Sequence, residues 1–144
     1  MLLIPLQPLQ QAGTTNEFVT YNAGAGDDAI SSTVAAINNT SAANASVKID
    51  GGAGTDTLTL TDNGITLVDA NFQFLTNIEV ISYTVANQAI SITAGGFFDT
   101  NFKSSGVTLT LGDATNAQTN TVNLSTFTGN ATVSLTATTA SSQV

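Results

Sequence analysis

The sequence predicts an all-β protein: a parallel β-roll or β-helix-like solenoid with Gly-Asp turns, with a β-sandwich as the alternative architecture. Three observations carry that expectation. Charged residues make up only 8% of the chain, against about 25% in an average soluble domain, and Thr, Ser, Asn, Ala and Gly fill the space. Apolar and hydroxyl residues alternate with period two in Thr57-Leu58-Thr59-Leu60 and Thr132-Val133-Ser134-Leu135, which puts one kind on each face of a strand. Short strand-like runs also recur between Gly, Asn and Asp turns at steps of roughly ten to eighteen residues. The chain is not a disordered one, because 42% hydrophobic residues are enough for a core.

Residues 1–11 read as an extended apolar arm, since Pro5 and Pro8 forbid a helix there. Leu2, Leu3, Ile4, Leu6 and Leu9 must either fold back on the chain's own domain or add to a neighbouring subunit as a strand. Residues 12–144 then form a single β-rich domain, large enough to bury a core without staples. Glu17 to Tyr21 is a short strand that runs into a first Gly-Asp turn. Ile30, Val34 and Ile37 fall at helical spacing after an acidic start, which favours one short helix over 28–37 against a competing strand. A polar loop at 38–44 follows, and Val47-Lys48-Ile49 leads into the main turn. Strands are expected at 57–61 and 65–68, on either side of an Asp62-Asn63-Gly64 turn. Phe72 and Leu75 suit one helical turn within 69–76. Further strands are expected at 78–84, 89–93, 107–111, 121–124 and 131–136.

The chain is organised around Gly51-Gly52-Ala53-Gly54-Thr55-Asp56-Thr57-Leu58-Thr59, which fits G-G-x-G-x-D-x-U-x (U a large apolar residue) at every specified position. A second copy at 23–31 keeps Gly24, Gly26, Asp28 and Ile30 and puts Ala23 at the first glycine. Glycine admits the positive φ that turns carbonyls toward a hard cation, and the Asp adds an anionic oxygen. The pattern resembles the RTX, or hemolysin-type, calcium-binding repeat. That resemblance implies a parallel β-roll holding Ca2+ in its turns, with Asp28 and Asp56 as the ligating carboxylates. Backbone carbonyls of Gly24, Gly26, Gly52 and Gly54 would complete the shell, and Asp27 and Asp50 flank it as ligands or as partners of ligands. The run from Thr61 to Tyr83, with Asp69-Ala70-Asn71-Phe72 and then Asn77-Ile78-Glu79 before a strand, is similar to bacterial surface-layer and large secreted β-repeat proteins. Those families are mostly structural or adhesive. One departure limits the site count: Gly24 and Gly52 lie 28 residues apart, and Ser32 to Lys48 holds no glycine. One or two calcium sites fit better than a full array.

Composition excludes several functions. The formal net charge is −8, with Lys48 and Lys103 the only basic residues, so no surface can neutralise a nucleic-acid backbone. Without His or Cys there is no standard triad, thiol mechanism, disulfide or thiolate zinc site. No enzyme is expected, because the carboxylates sit in turns and Glu17 and Glu79 lie in strand-like segments facing solvent. Five Asn-x-Ser/Thr matches are ordinary in a chain so rich in these residues, and no glycan is assigned. Residues 1–6 are apolar but lack a basic n-region, so they do not read as a secretory signal, and nothing reaches the length of a membrane span. The RTX resemblance implies type I export to the cell surface or the extracellular space. The expected function is a secreted structural protein that self-assembles into a filament or surface layer, with a second copy as partner and the arm Leu2–Leu9 as one contact. The alternatives are a non-polymeric calcium-binding adhesin module or export appendage, and a domain that binds cell-surface glycan. The last would need an aromatic platform, for example Phe97 or Phe98 exposed beside an acidic cleft.

Overall fold

A computed structural model describes residues 3–5, 18–38, 46–85, 88–112 and 120–136. It is a parallel β-solenoid of about four turns. Strand β1 (Leu3–Pro5) precedes a first coil made of β2 (Phe18–Asn22), a Gly-Asp turn and β3 (Ala29–Ser32). The second coil repeats the plan with β4 (Ser46–Asp50), the main turn, β5 (Thr57–Leu60) and β6 (Ile65–Leu67). In the third, a 3-10 turn (Asp69–Phe72) leads into β7 (Leu75–Thr76), β8 (Val80–Tyr83) and β9 (Ile90–Thr93). The fourth substitutes helix α1 (Gly96–Phe102) for the first strand and continues through β10 (Val107–Gly112) and β11 (Thr121–Asn123) to β12 (Ala131–Thr136).

Stacking the coils makes three sheets. One has six strands in the order β1-β3-β5-β8-β10-β12, and two have three each, β2-β4-β7 and β6-β9-β11. Every ladder among the described residues is parallel, which rules out the antiparallel sandwich. The period-two alternation explains the register. Ile30 pairs with Leu58, Leu58 with Ile81, Ile81 with Leu109 and Leu109 with Val133. All but the last are buried, and each full burial stabilises by about 1.5–3 kcal/mol. Ser31, Thr59, Ser82, Thr110 and Ser134 form the matching outward column. A one-residue slip would exchange the two columns, so the core itself holds the register.

One expectation needs correction. Residues 28–37 are not a helix: β3 occupies 29–32 and a hydrogen-bonded turn occupies 34–37. Ile30 is taken up by the inward column, and the Val34 N–H donates to Asp62 Oδ2 on the next coil at 2.8 Å. Tertiary pairing outweighs the local helical spacing. Among the described residues the α-helix is instead α1, where Phe98 and Phe102 stand four residues apart and both are buried. In the predicted arm, Leu3–Pro5 folds onto its own domain, pairing with β3. Leu2, Leu6 and Leu9 lie outside the described residues, as does Glu17.

Candidate metal centre in the Gly-Asp turns

Each Gly-Asp turn carries the chain from a strand of the β2-β4-β7 sheet to a strand of the six-stranded sheet. The turn at 23–28 lies directly on that at 51–56. Ala25 and Ala53 form a parallel bridge, the Ala53 N–H donates to the Gly24 carbonyl at 2.9 Å, and the Gly26 N–H donates to the Ala53 carbonyl at 2.7 Å. Gly52 shows why the pattern demands glycine. Its φ is +97°, and a Cβ there would fall on the Gly24 carbonyl oxygen. Only a residue without a side chain lets the two turns close.

The acidic residues lock the same turns from both sides. Asp27 Oδ1 accepts the Thr55 N–H at 2.8 Å, and Asp56 Oδ1 accepts the Asp28 N–H at 2.9 Å. Asp50 Oδ1 accepts the Gly52 N–H at 3.1 Å and the Asn77 side-chain amide at 2.7 Å. The ladder continues into the third coil, where Glu79 Oε2 accepts the Asp56 N–H at 2.9 Å. Glu79 is therefore half-buried and bonded, not solvent-facing as its strand-like context suggested. Asp28, Asp56 and Glu79 occupy one position in three successive coils, each just ahead of its strand in the six-stranded sheet. The third turn, 76–79, is shorter and has Asn77 at φ 52° where the others use glycine.

Two oxygens in this stack have no partner. Asp28 Oδ2 and Asp56 Oδ2 are buried and make no hydrogen bond, and Asp56 as a whole is fully buried. Such groups are costly unless something neutralises them. Free carboxylate oxygens beside glycine turns are the kind of donor that a hard cation such as Ca2+ takes. Among the described residues no group of three or more His, Cys, Asp or Glu side chains converges on one point. A cation here would be held by Asp56 and Asp28, with the rest of its shell from backbone carbonyls and water. Asp27 and Asp50 each have one oxygen committed to amides, and the Gly24 carbonyl already accepts one.

The other acids repeat the locking role. Asp69 accepts the N–H groups of Phe97 and Phe98, at 3.1 and 3.0 Å, and so caps α1 from the neighbouring coil. Asp62 holds Val34, and Asp99 Oδ1 takes both the N–H and the hydroxyl of Thr128 at 2.7 Å. The Thr128 hydroxyl and N–H, helped by Lys103 nearby, hold the Asp99 carboxyl below the usual carboxylate range. Asp113 lies outside the described residues. Of the eight described acids, all but Asp28 accept a backbone N–H, whereas Lys103–Asp99 is the one ion pair among them, at 3.6 Å. Backbone amides therefore stand in for the missing basic residues. Sequence reasoning singled out the turns but missed this role. Its only trace in the sequence is the recurrence of acids about one coil apart.

The glycan platform finds little here. Phe98 is buried in the core, and Phe97 is exposed, but the Asp69 carboxylate beside it is already bonded to backbone. Among the described residues no helix is long and apolar enough to cross a membrane. Comparison with protein-family models, with characterised proteins and with solved structures finds no match for this chain.

Proposed function

We propose that the chain is an extracellular structural protein whose stacked Gly-Asp turns take up calcium and whose solenoids self-assemble. The observation that carries the calcium half is the pair of buried, unpartnered oxygens, Asp28 Oδ2 and Asp56 Oδ2, between glycine turns. A cation there neutralises two carboxylates that no side chain answers, and it ties two coils together. The assembly half is supported by a strand-rich surface with few charged residues, of the kind that other proteins use to block edge pairing. A chain without His or Cys, and with seven of its eight described acids bonded to backbone, acts through contacts rather than chemistry.

The test is circular dichroism with negative-stain imaging, first in about 5–10 mM calcium, enough to saturate a weak extracellular-type site, and then in excess chelator. Ordered filaments or sheets that dissolve on chelation, with loss of β signal, are the expected result. A folded monomer indifferent to both conditions would sink the proposal and leave a plain binding module. Assemblies that ignore the chelator would keep the structural role and remove calcium from it.

A further inference from the structure

The two ends of the solenoid differ from its middle. Along the inward column, Ile30, Leu58, Ile81 and Leu109 are all buried because a coil lies on either side. The column then reaches β12, the last strand of its sheet, where Val133 is 42% exposed, and Leu135, which pairs with buried Leu111, is 65% exposed. At the other end β2 is the terminal strand of its sheet, and Val19, aligned with Val47, is 37% exposed. Among the described residues, no further strand lies over these core positions.

Charge is distributed to match. All twelve charged side chains fall between Glu17 and Asp113, leaving residues 1–16 and 114–144 with none. A solenoid that must stay single caps its ends with polar or charged groups. Here the segments that flank the charged span carry no charged group, and seven of the eight described acids are engaged by backbone amides.

We propose that a second copy of this chain covers the open end: β12 of one molecule, through Val133 and Leu135, receives the β1–β2 end of the next. This rests on the self-assembly proposed above and specifies its interface. The contact continues the coil-on-coil stacking already present between β10 and β12. It is heterologous, because the two ends are different surfaces, so it propagates into a polar filament rather than closing a dimer.

The experiment places Lys at both exposed positions, Val133→Lys with Leu135→Lys, in the full chain. A control variant, Val68→Lys, sits mid-solenoid at a site also exposed. Sedimentation and imaging over a concentration series read assembly, and circular dichroism checks that each variant folds. The double variant should raise the concentration needed for assembly by roughly thirtyfold or more, the scale of losing an interface anchor, while the control behaves as the parent. Added in small proportion to the parent, it should shorten filaments, because it can join through its β1–β2 end but accepts no further copy. Unchanged assembly of a folded double variant would overturn the interface while leaving self-assembly standing. Discrete dimers of the parent, abolished by the double variant, would overturn the head-to-tail arrangement in favour of β12 meeting β12. A parent that stays monomeric at every concentration removes the self-assembly proposal itself. If a chain cut after Thr136 then assembles, residues 137–144 are the cover and the second copy is not.

Discussion

Two corners of the solenoid, one where β2 and β4 leave their sheet and one where the 3-10 turn and α1 stack, are held in different ways. In the first two coils, β2 and β4 pass into Gly-Asp turns joined by main-chain bonds and by the Asp27–Thr55 and Asp56–Asp28 locks. In the last two, α1 packs on the 3-10 turn, and aromatic rings do the joining. Phe72 and Phe98 meet edge to face with centroids 4.8 Å apart, Phe98 meets Phe127 at 5.1 Å, and Phe102 packs on Phe98 at 4.8 Å. The polar corner depends on backbone geometry and on specific acceptors. The aromatic corner depends on volume. One fold therefore contains two kinds of fragility, and only the polar one offers oxygens to a cation.

The largest effect should come from the aromatic corner. Phe98→Ala should cost about 3–5 kcal/mol in denaturant unfolding, and calcium should not restore it. A loss near zero would mean that the helix is an appendage rather than a joint. Next comes Gly52→Ala, expected at about 2–3 kcal/mol, because the new Cβ meets the Gly24 carbonyl as well as an unfavourable φ. Gly24→Ala has the same handedness problem but open space around it, so it should cost only about 1 kcal/mol. The reverse order would show that the two turns do not close on each other.

Asp56→Ala sharpens the contrast differently. In chelator the lost acceptor for Asp28 is partly offset by removal of a buried, half-partnered carboxylate. In millimolar calcium the parent should gain about 1–2 kcal/mol by mass action, and the variant should gain none. Equal calcium responses from Asp56→Ala and Asp99→Ala would count against the turn site. The smallest effect is the pH dependence at Asp99. Its carboxyl is held low by the Thr128 hydroxyl first, then by the Thr128 N–H and Lys103. The stabilisation is complete above the ordinary carboxylate pKa of about 3.9 and is lost as pH falls through the lower folded value. The stability difference between the parent and Asp99→Asn should therefore be constant near neutrality and shrink toward zero in acid. A difference that persists at low pH would mean that the Thr128 contact does not depend on charge.

Most strands could be read in advance because their signal is local: alternating side chains report their own burial pattern. Thr57-Leu58-Thr59-Leu60 is the clearest case, with the two leucines buried and the two threonines only partly so. The turn glycines could be read for the same reason, since positive φ is a demand on one residue at a time. Glu79 could not, because its role is to accept an N–H from a residue 23 positions away. Residues 28–37 misled, because helical spacing over ten residues competes with a ladder that only the neighbouring coil supplies. Phe98 with Phe102, and Asp99 with Lys103, had the four-residue spacing that marks α1, but the Asp69 cap lies almost thirty residues upstream.

By itself, the sequence determined that this chain is built of short strands, with parallel coils favoured over a sandwich, where its Gly-Asp corners lie, and that its charge would be negative and sparse. These follow from side-chain period, backbone tolerance and composition, which are properties of short segments. The tertiary structure decided which amide each carboxylate would hold, which two oxygens would be left without a partner, and which core residues would face outward at the ends. Those depend on what lies one coil away, and a coil here is 23 to 30 residues long.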